Sequence, residues 1–141
     1  MIVYNALDVK IPNLPRRKVS NWIKTITEKY NKRVGDVSYI FCSDEKILSI
    51  NKEYLKHDYF TDIITFDYSA NDTISGDIFI SLDTVKSNAT QFKVPFENEF
   101  LRVMIHGILH LCGLSDNTKK QKELMRNSEN QALSKFLDID K

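Results

Sequence analysis

The run "PFENEFLRVMIHGILHLCGLSD", residues 95 to 116, constrains this chain more than any other stretch. Its apolar residues recur at helical spacing, so it reads as a largely buried helix. Yet it carries two imidazoles, His106 and His110, four residues apart. In a helix such residues project side by side, within ~40° of each other. Val103, Met104, Ile105, Ile108, Leu109 and Leu111 leave little water around them. Burying a polar group without a partner costs roughly 2–7 kcal/mol.

Taken alone, the pair fits two core histidines bonded to backbone as well as it fits a metal site. The residues that follow weigh against the first reading. Gly113 can adopt the left-handed conformation that stops a helix, and the reversal can carry Asp116 back toward the imidazoles. Two histidines and a carboxylate, with a fourth position left for water, form the donor set of a catalytic zinc ion. Metallopeptidases of the HExxH type carry their general base directly after the first histidine. Here that residue is Gly107, which disfavours such a peptidase.

The rest of the chain reads as one α+β domain, residues 1–141, with a mixed four- to five-stranded sheet and helices packed on it. "MIVYNA" is a first strand. A helix follows Pro15, with Val19, Trp22, Ile23 and Ile26 at helical spacing and Gly35 as its stop. "VSYIFCS" is a buried strand, and Asp44 caps the next helix. "TDIITFDY" alternates, with Ile64, Phe66 and Tyr68 on one side, and "DIFISL" can pair with it antiparallel. Helices cover 83–92 and 95–112, the second capped near Pro95, and a last helix places Leu124, Ala132, Leu133 and Phe136 in the core.

Composition excludes little but points somewhere. No apolar run approaches the ~18 residues of a membrane span. The start lacks the pattern of a secretory signal, and two cysteines far apart in sequence fit reduced thiols in a cytoplasmic protein. Net charge is only +1, but residues 1–35 hold eight Lys/Arg against Asp8 and Glu28. A basic helix there suits the phosphates of an anionic polymer, or is simply a solvated face.

At "HGILHLCGLSD" the chain resembles the YbeY family of metal-dependent endoribonucleases, whose motif runs HGxLHLxGYDH. His106, Gly107, Leu109, His110, Leu111 and Gly113 match it in position. Upstream, "NKEYLKHDYFTDIITFDY" resembles the family's LNxxYRxxDxPTDVLSF, and "GDIFIS" its GDI(V/F)I strand. The resemblance implies one divalent metal ion, most simply Zn2+, held by His106, His110 and Asp116, the aspartate standing where the family has a third histidine. It implies single-stranded RNA as substrate, a role in ribosomal RNA processing and ribosome quality control, and the ribosome or its proteins as partners. The alternative class is a ribosome-associated binding module whose metal is structural.

The family arginine associated with cleavage aligns with Leu55. Lys56 could supply the missing positive charge, and His57 could move a proton; both are exposed-loop candidates for catalysis. Asp77 could orient a ligand imidazole, while Thr61 and Asp62 would fix a loop. Tyr54, Tyr59 and Phe60 could stack on bases. Cys112 points away from the metal face and reads as a core cysteine.

Overall fold

The computed structural model describes residues 1–59 and 61–139. The chain runs β1 (Ile2–Ala6), α1 (Arg16–Lys29), β2 (Arg33–Cys42), α2 (Asp44–Leu55), β3 (Ile63–Asp67) and β4 (Thr73–Ser81). It then runs α3 (Leu82–Phe92), α4 (Phe96–Leu111) and α5 (Lys119–Asp138). The strands form one mixed sheet of order β1-β2-β4-β3. β1 and β4 lie parallel to β2, and β3 closes one edge antiparallel to β4. This is the α+β architecture expected, with four strands.

Strand alternation divides the side chains between two faces. Val37, Tyr39 and Phe41 of β2 and Ile74, Ile78 and Ile80 of β4 point to one side. There they form a single core with Trp22 and Ile23 of α1, Met104, Ile105, Ile108 and Leu109 of α4, and Phe136 of α5. On the other face a smaller cluster joins Ile64 of β3 to Ile47 and Ile50 of α2, with Phe66 and Phe79 packed against it. The phase of β3 is therefore as its alternation predicts.

α4 is the helix through which the site is built, and the larger core holds it from several directions. The Tyr39 hydroxyl donates to the Met104 carbonyl at 2.9 Å in the interior. Trp22 Nε1 donates to the Ala132 carbonyl at 2.6 Å, which fixes α5 against α1 on the same face.

Three local expectations are corrected. Gly35 does not end α1: the chain turns at Asn31, whose φ of 58° is left-handed, and Gly35 lies within β2 at a register irregularity. A Cβ there would meet Ser75 Oγ at 2.6 Å, so the glycine is required by close strand approach. Ser43, not Asp44, caps α2 by accepting from the Lys46 amide. Asp44 instead accepts from the Ser81 and Thr84 hydroxyls and ties α2 to the start of α3. Leu124 is exposed, and Met125 takes the core position one residue on.

Candidate metal centre

Between Glu99 and Leu111, α4 is buried everywhere except at Arg102, His106 and His110. These lie four residues apart in succession, so they form one stripe along the helix. The stripe carries most of that segment's access to solvent.

At the end of the stripe the helix stops at Cys112. Gly113 takes φ of 105°, which a side chain would resist. The Gly113 amide returns to the His110 carbonyl and the Leu114 amide to the Leu109 carbonyl, the paired bonds of a Schellman turn. The turn then does chemistry as well as stopping a helix. The Leu114 carbonyl accepts from His110 Nδ1 at 2.9 Å, and the loop returns Asp116 to within 3.4 Å of both imidazoles.

His106 is fixed by a residue that local reading did not reveal. Its Nδ1 lies 2.7 Å from Glu129 Oε2, on α5. The other oxygen of Glu129 accepts from Arg102 Nη1 at 3.0 Å, and Arg102 also donates to Asn130 Oδ1. Burial pulls the His106 pKa down, but the carboxylates of Glu129, Asp116 and Asp62 outweigh it, so the net shift is upward. Burial raises the pKa values of Asp62 and Glu99, which sit beside this network.

The donor set can be tested for a metal by its own hydrogen bonds. A carbonyl only accepts, so His110 Nδ1 must carry a proton, and Glu129 likewise takes the Nδ1 proton of His106. Both Nε2 atoms then present lone pairs, 3.0 Å apart. Two facing lone pairs at that distance need a cation between them, whether a proton or a metal ion. His106, His110 and Asp116 each offer one ligand atom, all within 4.8 Å of one another. The separations of 3.0, 3.4 and 3.4 Å suit a tetrahedral ion with bonds of 2.0–2.1 Å, whose ligand atoms stand about 3.4 Å apart. The residues fit a divalent metal of the zinc class.

Two cavities adjoin the cluster, of about 350 and 590 Å³, and both are lined by Asp62, His106 and Asp116. Asp62 lines both, and its carbonyl also accepts from the Ser81 amide, which ties its loop to the end of β4. Gly107 faces the sheet, where a Cβ would come within 3.0–3.1 Å of Ile78 and Ile63. A peptidase-type glutamate at that position would be driven into the core.

The other candidates fall elsewhere. Lys56 ends α2 in a left-handed conformation, and His57 Nδ1 bonds to the Tyr59 hydroxyl at 3.0 Å. Neither lines the two cavities. Buried Asn51 holds this loop by donating to the Tyr59 carbonyl. Tyr54 packs edge-on against Phe66, and Phe60 lies outside the described residues. Asp77 is on the sheet face opposite α4, beside Tyr68, because alternation sends Ile78 and not its neighbour toward the histidines. Cys112 is buried, as its position on the helix predicts. None of the basic residues of α1 lines either cavity.

Comparison with known proteins decides the lineage. The family model described as endoribonuclease YbeY matches residues 5–137. The chain belongs to the YbeY family. A YbeY endoribonuclease of Phocaeicola vulgatus is 55% identical over 134 residues, covering 95% of this chain and 97% of that protein. One from Parabacteroides distasonis is 54% identical over 133 residues, covering 94% of each. The fold is similar to the solution structure of TM1509 from Thermotoga maritima, with a TM-score of 0.66 and 27% identity. That alignment covers 98% of this chain and 93% of the other. Within the YbeY fold, the signal that could have revealed Arg102 was its position four residues before His106. Nothing in the local sequence marks Glu129.

Proposed function

We propose that this chain is a metal-dependent endoribonuclease that cuts single-stranded RNA. The observation that carries the reading is the convergence of two lone-pair nitrogens and a carboxylate at the mouth of two cavities, on a chain of the YbeY family. His106, His110 and Asp116 hold the ion. When bound, a divalent ion supplies Lewis acidity toward a phosphoryl oxygen and acidifies a nearby water.

The chain's own residues set that site's properties. Glu129 and the Leu114 carbonyl fix which nitrogen each imidazole presents. Asp116, being anionic where a third imidazole would be neutral, lowers the net charge of the loaded site from +2 to +1. The acidification is weaker than three histidines would give. Asp62 lies at both cavities, where burial raises its pKa above the ordinary carboxylate value. Lys56 and His57 belong to the loop after α2. In this reading they act on substrate that extends beyond the cavity, Lys56 on phosphate charge and His57 in a hydrogen bond through Nε2.

The cellular setting in this reading follows the family: ribosomal RNA precursors as substrate, the ribosome as the place of action, the cytoplasm as location and zinc as the metal. Leu55, solvent-facing where the family has arginine, favours a second reading, a ribosome-associated module whose metal is structural. One assay separates them. Unstructured RNA is incubated with wild-type protein, with wild type plus chelator, and with His110→Ala. The nuclease reading expects cleavage only in the first, and three identical digests would remove it.

A further inference from the structure

The smaller cavity is not symmetrical about the metal cluster. Besides His106 and Asp116 it is lined from α3 by Asn88 and Phe92 and from α5 by residues that include Lys122 and Arg126, so it forms a groove between those helices. Lys122 and Arg126 are four residues apart on α5, so both side chains lie on one face of that helix. Both are exposed, and neither makes an ion pair or side-chain hydrogen bond with any described residue. Arg126 only feels the Glu99 carboxylate through space. Phe92 is 49% exposed at the end of α3 and stacks on no other ring among the described residues. Tyr54 and Tyr59, by contrast, already pack against Phe66 and His57.

An open aromatic face and two uncommitted cations in one cavity are the chemistry that takes one nucleotide. Stacking accepts any base, and the cations meet the backbone. The volume of about 350 Å³ is near the lower end of the roughly 300–1,000 Å³ typical of small-ligand sites. It suits one nucleotide and not a long tract.

We propose that the groove between α3 and α5 is the subsite for the single-stranded RNA nucleotide beside the scissile phosphate, with Lys122 and Arg126 on its phosphate and Phe92 under its base. The proposal rests on the nuclease reading for the position of the cut and on the geometry for the subsite itself. It moves the phosphate grip from α1 to α5. It also supplies, from another element, positive charge that the family's arginine position lacks here.

The electrostatics add a condition. Asp62, Glu99, Asp116 and Glu129 face Arg102, Lys122 and Arg126 in this cavity. A divalent ion held by His106, His110 and Asp116 makes that balance more positive. An RNA strand is therefore held more tightly with the metal than without it.

The test uses full-length zinc-loaded protein and fluorescence anisotropy with two labelled probes, a 2′-O-methyl oligouridylate and its abasic counterpart. The double variant Lys122→Ala/Arg126→Ala should bind both probes about tenfold more weakly. Its plot of log K against log salt should be shallower by about 0.7 for each phosphate that is no longer neutralised. Phe92→Ala should weaken the oligouridylate about tenfold and leave the abasic probe unchanged. Removing zinc should weaken wild type and matter little to the double variant.

A control double on α1, Arg17→Ala/Lys24→Ala, removes the same charge away from the cavity. Equal losses in the two doubles, or full binding by Lys122→Ala/Arg126→Ala, would overturn the subsite. RNA cleavage by the same wild-type preparation keeps the two ideas apart. Cleavage with unimpaired binding and KM in the α5 double sinks the subsite alone. Groove-dependent binding without any cleavage supports the subsite and sinks the nuclease reading.

Discussion

Glu129 Oε2 lies 2.7 Å from His106 Nδ1, and its other oxygen takes Arg102 Nη1 at 3.0 Å. A carboxylate 23 residues further along the chain thus sets the tautomer of the first candidate metal ligand. Glu129→Gln keeps the shape but loses the charge that makes the imidazole a stronger donor. Zinc affinity, measured by competition with a chromogenic chelator, should fall about 10- to 100-fold. Unchanged affinity would mean that Glu129 merely packs against the ring.

Asp116 is where this chain leaves the three-histidine pattern, and the consequence is a matter of charge. Asp116→His should bring the loaded site to +2 and move the acidic limb of the pH–rate profile to lower pH, because the metal then acidifies water more strongly. Asp116→Ala should reduce the zinc bound by purified protein well below one equivalent. Equal metal content in wild type and Asp116→Ala would remove Asp116 from the ligand set.

Lys56 and His57 make a different prediction, because neither lines the cavities. Lys56→Ala and His57→Ala should raise KM for RNA while leaving kcat within about threefold. A kcat loss of a hundredfold or more in His57→Ala, of the kind general acid–base catalysis supplies (~10²–10⁴-fold), would instead place it in the chemical step.

The cysteines predict how the native chain meets alkylating agents. Burial pushes the Cys42 thiol up to about 12 and Cys112 up to about 11. Only the thiolate reacts, so at pH 8 the folded chain presents almost none. Labelling by iodoacetamide at that pH should be slow in buffer and complete in denaturant. As pH rises toward 11, Cys112 should react before Cys42, provided circular dichroism shows the fold intact. Rapid native labelling of either at pH 8 contradicts this burial.

The metal helix could be read before any coordinates because its signals are local. A spacing of four residues, the apolar residues between and a stopping glycine are properties of consecutive backbone, and they place His106, His110 and Asp116 together wherever the helix docks. The alternation of β3 and its pairing with β4 are legible for the same reason, since side-chain period follows from strand geometry. Local rules misjudged Gly35 and Leu124. At the first, another strand's approach decided where the glycine was needed; at the second, Met125 and not Leu124 shares the helical phase of Ala132 and Phe136.

What surrounds the metal helix was settled only by packing. Glu129, Lys122, Arg126 and Phe92 reach the site from α5 and α3, and their arrival depends on how those helices seat against α4, α1 and the sheet. That seating is a sum of many weak attractions and long-range bonds such as Trp22 to Ala132, and no short window of residues encodes it. The positive charge of α1 was visible as composition, but its distance from the cavity is a tertiary fact. Helical period and turn chemistry therefore placed the three donor atoms, while the close-packed core chose the groups that orient them and the groove beside them.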